Sequence, residues 1–138
     1  MIPAEVDLLR QRLAHAGERR LIWLEGIEAD CITRAEPLLV EVVFWLGDGP
    51  EHHGPLPAAK ALQRLGQECD TLVFNAFSGF HPDAFGALAG TLRAGGLLLL
   101  LTPPRAAWPA YPDPDRLRLV AQPEDAKRAG HGFIARLV

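Results

Sequence analysis

The residues best suited to chemistry follow short apolar runs. Asp48 sits in Gly47-Asp48-Gly49 just after the run 42–46, Asn75 and Ser78 come after 71–74, and Thr102 ends the five leucines 97–101. An open parallel sheet binds its ligands at the carboxyl ends of its strands. Asp48, Asn75, Ser78 and Thr102 are therefore the candidate site at the sheet edge, and an aspartate in the position of Asp48 suits a ribose hydroxyl. The first crossover argues against a phosphate. A GxGxxG turn lets the backbone approach a pyrophosphate at a helix start, whereas this chain carries Gly26-Ile27-Glu28-Ala29-Asp30, one glycine followed by two acids. No GxxxxGK[ST] loop occurs either. Ser78 lacks the GxSxG elbow of a nucleophilic serine and is expected to shape a turn.

The histidines give less. His52-His53 lies near Asp48 and Glu51, but a metal centre needs three or four convergent ligands. Neighbours in an extended chain point apart, so a solvated loop is expected. His81 precedes Pro82 and is placed at a helix start, while His15 and His131 have no evident partner in the sequence. No catalytic, cofactor-binding or metal-ligating residue is therefore assigned. Arg10, Arg12, Arg19 and Arg20 are the densest basic cluster and the candidate RNA contact. Glu5, Asp7 and Glu18 lie among them and favour an ordinary solvated helix face. Trp108 and Tyr111, in a proline-rich loop, are candidates for an exposed partner surface. Phe77 and Phe80 are expected to pack against the helix from Pro82.

These residues need a scaffold, and the periodicity supplies one. Val6, Leu9 and Leu13 recur at helical spacing over 3–16, with Pro3 fit for the first turn and Gly17 for the stop. The run 21–24 reads as a strand buried on both faces, 27–36 as a helix, and 42–46 as a second strand. Ala58, Leu62 and Leu65 mark a short helix, and 71–74 a third strand. A helix from Pro82 should bury Phe85, Leu88, Ala89 and Leu92 and close at Gly95-Gly96. The leucine run reads as a central fourth strand, 117–120 as an edge strand and 123–138 as partly helical. Strand–helix alternation implies right-handed crossovers. The expectation is an α/β, three-layer Rossmann-like domain with a mostly parallel sheet of four to five strands, spanning 1–138 as one unit.

Composition agrees. Nearly half the residues are hydrophobic (49%), enough for a core in a chain of 138 residues. The formal net charge of −3 argues against a basic nucleic-acid clamp. Cys31 and Cys69 show no CxxC spacing and read as free thiols in a reducing compartment. No signal sequence or membrane-length apolar stretch is seen, so a cytoplasmic protein without a membrane partner is expected.

A longer pattern carries a resemblance. Arg19-Arg20-Leu21-Ile22-Trp23-Leu24 follows an N-terminal helix, and residues 65–76 read LGQECDTLVFNA. Residues 79–96, GFHPDAFGALAGTLRAGG, run into the leucine strand, followed by Trp108, Pro112-Asp113 and His131-Gly132-Phe133. This arrangement resembles the N-terminal domain of bacterial tRNA(Met) cytidine acetyltransferases over nearly the whole chain, most specifically over 65–103. The resemblance implies a tRNA-processing, RNA-binding context. Members acetylate the exocyclic amine of the wobble cytidine of elongator tRNA(Met) with acetyl-CoA and ATP, hydrolysis belonging to a helicase-like domain and acetyl transfer to a later acetyltransferase domain. Neither cofactor is expected in this chain, which is read as an excised, non-catalytic module. Its implied partners are the helicase-like and acetyltransferase domains of the same polypeptide, with tRNA as a further candidate.

Two other functions remain open. One is a Rossmann-like nucleotide- or S-adenosylmethionine-binding enzyme, suggested by the 92–98 stretch, which looks like the turn before the fourth strand of such methyltransferases. The other is an interaction domain that homodimerises through an exposed edge or the Trp108 loop.

Overall fold

A computed structural model of the chain describes residues 3–111. Helix α1, Pro3–Ala16, buries Val6 and Leu13. It ends as its glycine predicts: Gly17 has φ 70°, its N–H donates to Ala14 O at 3.1 Å, and Glu18 N donates to Leu13 O at 2.7 Å. This pair of bonds is the Schellman arrangement, which satisfies carbonyls left open at a helix end. Strand β1 is Arg20–Glu25 and helix α2 is Glu28–Ala35, continued by a 3-10 turn, Glu36–Leu38, where Pro37 changes the winding. Strand β2, Val43–Leu46, is followed by a 3-10 turn at Glu51–His53 and a 3-10 helix at Ala58–Arg64. Strand β3 is Cys69–Asn75, helix α3 is Pro82–Ala89, strand β4 is Leu92–Thr102, and a last 3-10 turn spans Trp108–Ala110.

The four strands form one all-parallel sheet in the order β1-β4-β3-β2. The chain crosses the whole sheet after β1 and returns one strand at a time. Residues alternate across the sheet, so the leucine run feeds both faces. Leu97, Leu99 and Leu101 join Val73 and Trp45 beneath α1 and α2, with Val6, Leu13, Cys31 and Leu38. Leu98 and Leu100 join Leu72, Phe74 and Phe44 on the opposite face, with Ala84, Leu88 and Trp108. Each such buried leucine contributes about 1.5–3 kcal/mol relative to exposure. The result is a three-layer α/β, Rossmann-like sandwich. Cys31 and Cys69 are buried free thiols in clusters on opposite faces. Burial pushes the Cys69 thiol up, partly offset by a hydrogen bond with Thr91.

Four expectations change. Strand β1 is not buried on both faces: it borders the described sheet, and Leu21 is 49% exposed. The 58–64 segment winds three residues to the turn, so Ala58, Ala61 and Arg64 share a side. Ala61 is buried, while Leu62 is rotated outward and Leu65 is also exposed. Helix α3 stops at Gly90, not at Gly95-Gly96, with Thr91 N and Oγ1 both donating to Leu88 O. Both glycines instead lie inside β4, where Gly95 (φ 84°) donates to Glu18 O at 2.8 Å. A Cβ there would stand 2.8 Å from the Ala14 Cβ, so this glycine lets α1 lie close on the sheet. Leu92 accordingly opens β4 instead of closing the helix. The edge strand expected at 117–120 and the helical tail at 123–138 fall outside the described residues.

Candidate functional site

The carboxyl ends of β2 and β3 open into a cleft of about 790 Å3. Its walls include Glu28, Asp48, Asn75, Ser78, Ala58 and Tyr111. Asn75 is fully buried at the end of β3 and organises the floor. Its Nδ2 donates to Asp48 O at 2.7 Å and to Glu28 Oε2 at 2.9 Å, and its Oδ1 accepts from Phe77 N at 3.0 Å. Ser78 Oγ accepts from Asp48 N at 2.8 Å, and the Trp45 indole donates to Asp48 O at 2.9 Å. The Gly47-Asp48-Gly49 loop is thereby fixed through the backbone of Asp48, whose own carboxylate side remains exposed.

Gly47 makes this approach possible. It has φ 87°, and a Cβ there would meet Asn75 O at 2.7 Å and Ser78 Oγ at 3.0 Å. Gly47→Ala combines a left-handed backbone penalty with a clash against a backbone carbonyl, an expected loss of about 2–3 kcal/mol. Chemical denaturation checks it through a lower midpoint at unchanged slope.

The first crossover is occupied by its own bonds. Gly26 N donates to Thr102 O at 3.0 Å, Arg34 Nη2 donates to Glu25 O at 2.6 Å, and Glu25 Oε2 accepts from Arg105 N and Nε at 3.1 and 3.0 Å. Glu28 and Asp30 stand in the first turn of α2, where a phosphate would otherwise meet a favourable dipole.

The residues singled out from the sequence separate. Asp48, Asn75 and Ser78 meet in the cleft, whereas Thr102 lies fully buried elsewhere, accepting from Trp23 Nε1 at 2.7 Å and donating to Pro103 O at 2.7 Å. Trp108 is not an exposed partner residue. It is 1% exposed, edge-on to Trp23 and Phe80, because the chain after β4 folds back over the sheet face. Tyr111 lines the cleft, edge-on to Phe77 at 5.7 Å. Phe77 and Phe80 are buried.

The arginines divide as well. Arg10 is turned inward, donating to Asp70 O, Leu38 O and Thr71 Oγ1, so the solvated face expected there does not include it. Arg12, Arg19 and Arg20 are exposed, and Arg19 also donates to Ala89 O and Leu92 O. His81 caps α3, its Nδ1 accepting from Ala84 N at 3.1 Å.

Two features escaped the sequence reading. Glu28 enters the cleft wall because it lies one helical turn before the buried Cys31; that spacing was the available signal. His52 and His53 do not point apart. They sit in a 3-10 turn instead of an extended chain, and both reach Glu36, His53 Nε2 at 3.1 Å and His52 Nε2 at 3.9 Å. The His53 ring also stacks on Trp45 at 5.6 Å.

Among the described residues, no helix is long and apolar enough to cross a membrane. Compared with known proteins, residues 1–138 match the family model of the N-terminal region of tRNA(Met) cytidine acetyltransferase TmcA. The chain is 44% identical over 150 residues to the tRNA(Met) cytidine acetyltransferase of Nitrosococcus halophilus, covering all of this chain and 20% of that protein. It is 44% identical over 115 residues to that of Citrobacter koseri (80% of this chain, 17% of the relative). It is 31% identical over 140 residues to that of Haloarcula marismortui (94% and 18%). The chain thus spans about a fifth of the length of these relatives. With the whole chain matched and the parallel sheet in place, the chain belongs to the tRNA(Met) cytidine acetyltransferase family, as its N-terminal region.

Proposed function

We propose that this chain is the non-catalytic N-terminal module of a tRNA-acetylating enzyme, packing on a helicase-like domain and helping to place the tRNA. Acetyl-CoA and ATP are handled by other domains of that polypeptide. The observation that carries the reading is the spent chemistry of the strand ends. The Gly26 N–H is bonded to Thr102, Asn75 holds Glu28 and Asp48, Glu28 and Asp30 open α2, and the nearby Arg34 and Arg105 guanidinium groups are both bonded to Glu25. A phosphate placed there would lose water, would have to compete with Glu25 and Thr102 for donors already engaged, and would face the carboxylates of Glu28 and Asp30. Within the four-arginine cluster, the exposed Arg12 and Arg20 are the cations offered to tRNA phosphate, since Arg10 is turned inward and Arg19 donates to Ala89 O and Leu92 O.

Cleft volume and position favour one alternative, a small-molecule site of nucleotide or S-adenosylmethionine type. Calorimetric titration with ATP, S-adenosylmethionine and acetyl-CoA separates the readings. The expected result is no saturable binding; micromolar binding of any of the three overturns the accessory role. In a full-length enzyme carrying this region, Arg12→Glu with Arg20→Glu should raise KM for tRNA severalfold and leave kcat unchanged. Unaltered KM removes the tRNA-placing part of the reading.

A further inference from the structure

We propose that Glu36, His52 and His53 form a binding site for a divalent transition-metal ion, with Zn2+ as the fitting occupant. The three side chains come from two separate turns, the 3-10 turn after α2 and the one after β2. Their ligand atoms all lie within 4.8 Å of one another. His53 Nε2 is 3.1 Å from both Glu36 oxygens, and His52 Nε2 is 3.9 Å from Oε1. Zinc bonds to imidazole nitrogen and carboxylate oxygen are about 2.0–2.2 Å, which sets ligands in a tetrahedron about 3.3–3.5 Å apart. The His53–Glu36 pair already has this spacing to within a few tenths of an ångström. His52, with 70% of its side chain exposed, is free to make the remaining movement.

Chemistry and surroundings agree. Two imidazoles and one carboxylate form a borderline donor set, suited to Zn2+ and poorly suited to Mg2+ or Ca2+. The more buried ligand, His53, is held by its stack on the Trp45 indole, whose own Nε1 is bonded to Asp48 O. A shallow pocket of about 280 Å3, bordered by Glu41, His52 and His53, opens beside the ligands. It gives the ion a route in and leaves room for water at the fourth position. Glu41 adds negative charge there. Bound metal would clip the end of α2 to the segment leading from β2 to the cleft.

The test is a Zn2+ titration of the tag-free 138-residue chain at neutral pH, followed by calorimetry and by thermal melting. One ion per chain with micromolar Kd and a raised Tm is expected. Loss of even an outer-shell group costs metal sites about 10–100-fold in affinity. His52→Ala and Glu36→Gln should each weaken binding at least tenfold and abolish the Tm rise, with His15→Ala unchanged. His52→Ala is decisive because it removes an exposed side chain and leaves the fold intact, which circular dichroism checks. No saturable binding, or equal binding by wild type and His52→Ala, overturns the proposal.

Discussion

Trp108→Ala should destabilise the protein by about 3–5 kcal/mol, the range for removing a buried aromatic side chain. The indole is 1% exposed and seals the sheet face opposite α1 and α2. It meets Trp23 edge-on at 5.8 Å and Phe80 edge-on at 5.7 Å, geometries that add to the area each ring buries. Trp23 is also tied to Thr102 and covered by the Arg105 guanidinium at 5.5 Å. A cavity beside Trp23 would therefore loosen the end of β4 and the loop after it. Urea unfolding followed by far-ultraviolet circular dichroism gives the measurement. Trp108→Phe retains ring packing and should lose less. A change within about 0.5 kcal/mol for the alanine variant would mark Trp108 as a surface residue and contradict its place in the core.

Trp108 shows where the sequence stops being informative. Its neighbours in the chain are prolines and small residues, the composition of an exposed loop. Its burial is decided by Trp23 and Phe80, more than 25 residues away in the chain, and local composition carries no trace of them. The strands are different. A run of five leucines has to be covered on both sides, so the central position of β4 and the three layers around it are legible. Where the pattern admits two windings, the reading fails. Ala58, Leu62 and Leu65 suit an α-helical stripe, but Pro57 and Gly66 bound a segment that winds as 3-10 and presents Ala61 inward. Gly95-Gly96 looks like a helix stop because a glycine pair after an apolar helical stripe is the local signal for one. Gly95 answers to Ala14 and Glu18, in a different part of the chain. The cleft was half legible for the same reason: strand-end position places Asp48, Asn75 and Ser78, while Glu28 arrives from the crossover helix.

Arg10→Met is the second large effect, an expected loss of about 2–4 kcal/mol, because hydrogen bonds to a charged group contribute about 1.5–3 kcal/mol each and overlap when they share one side chain. Methionine keeps an unbranched apolar stem against the sheet and removes only the fork. That fork ties α1 to two other elements: Nη1 donates to Asp70 O at 2.9 Å in β3, and Nη2 donates to Thr71 Oγ1 of β3 at 2.7 Å and to Leu38 O in the turn after α2. Without it, two carbonyls lose a charged donor in a half-buried place, and the Thr71 hydroxyl keeps only the long bond from Val40 N at 3.4 Å. Burial lowers the guanidinium's pKa, while the charges of Asp70 and Asp7 oppose that shift; an arginine side chain is charged at neutral pH in any case, so its bonds persist there. Arg10→Lys keeps the charge but a single ammonium cannot bridge the same three oxygens, and it should recover only part of the loss. The alternative role, an arginine offered to RNA, makes the opposite forecast: unchanged stability with weaker tRNA binding. Denaturation midpoints of the wild type, Arg10→Met and Arg10→Lys, measured beside the Arg12→Glu and Arg20→Glu variants, decide between them. A stability order of wild type, lysine, methionine, with the two exposed-site variants near wild type, assigns Arg10 to the fold and leaves Arg12 and Arg20 as the cations open to a partner.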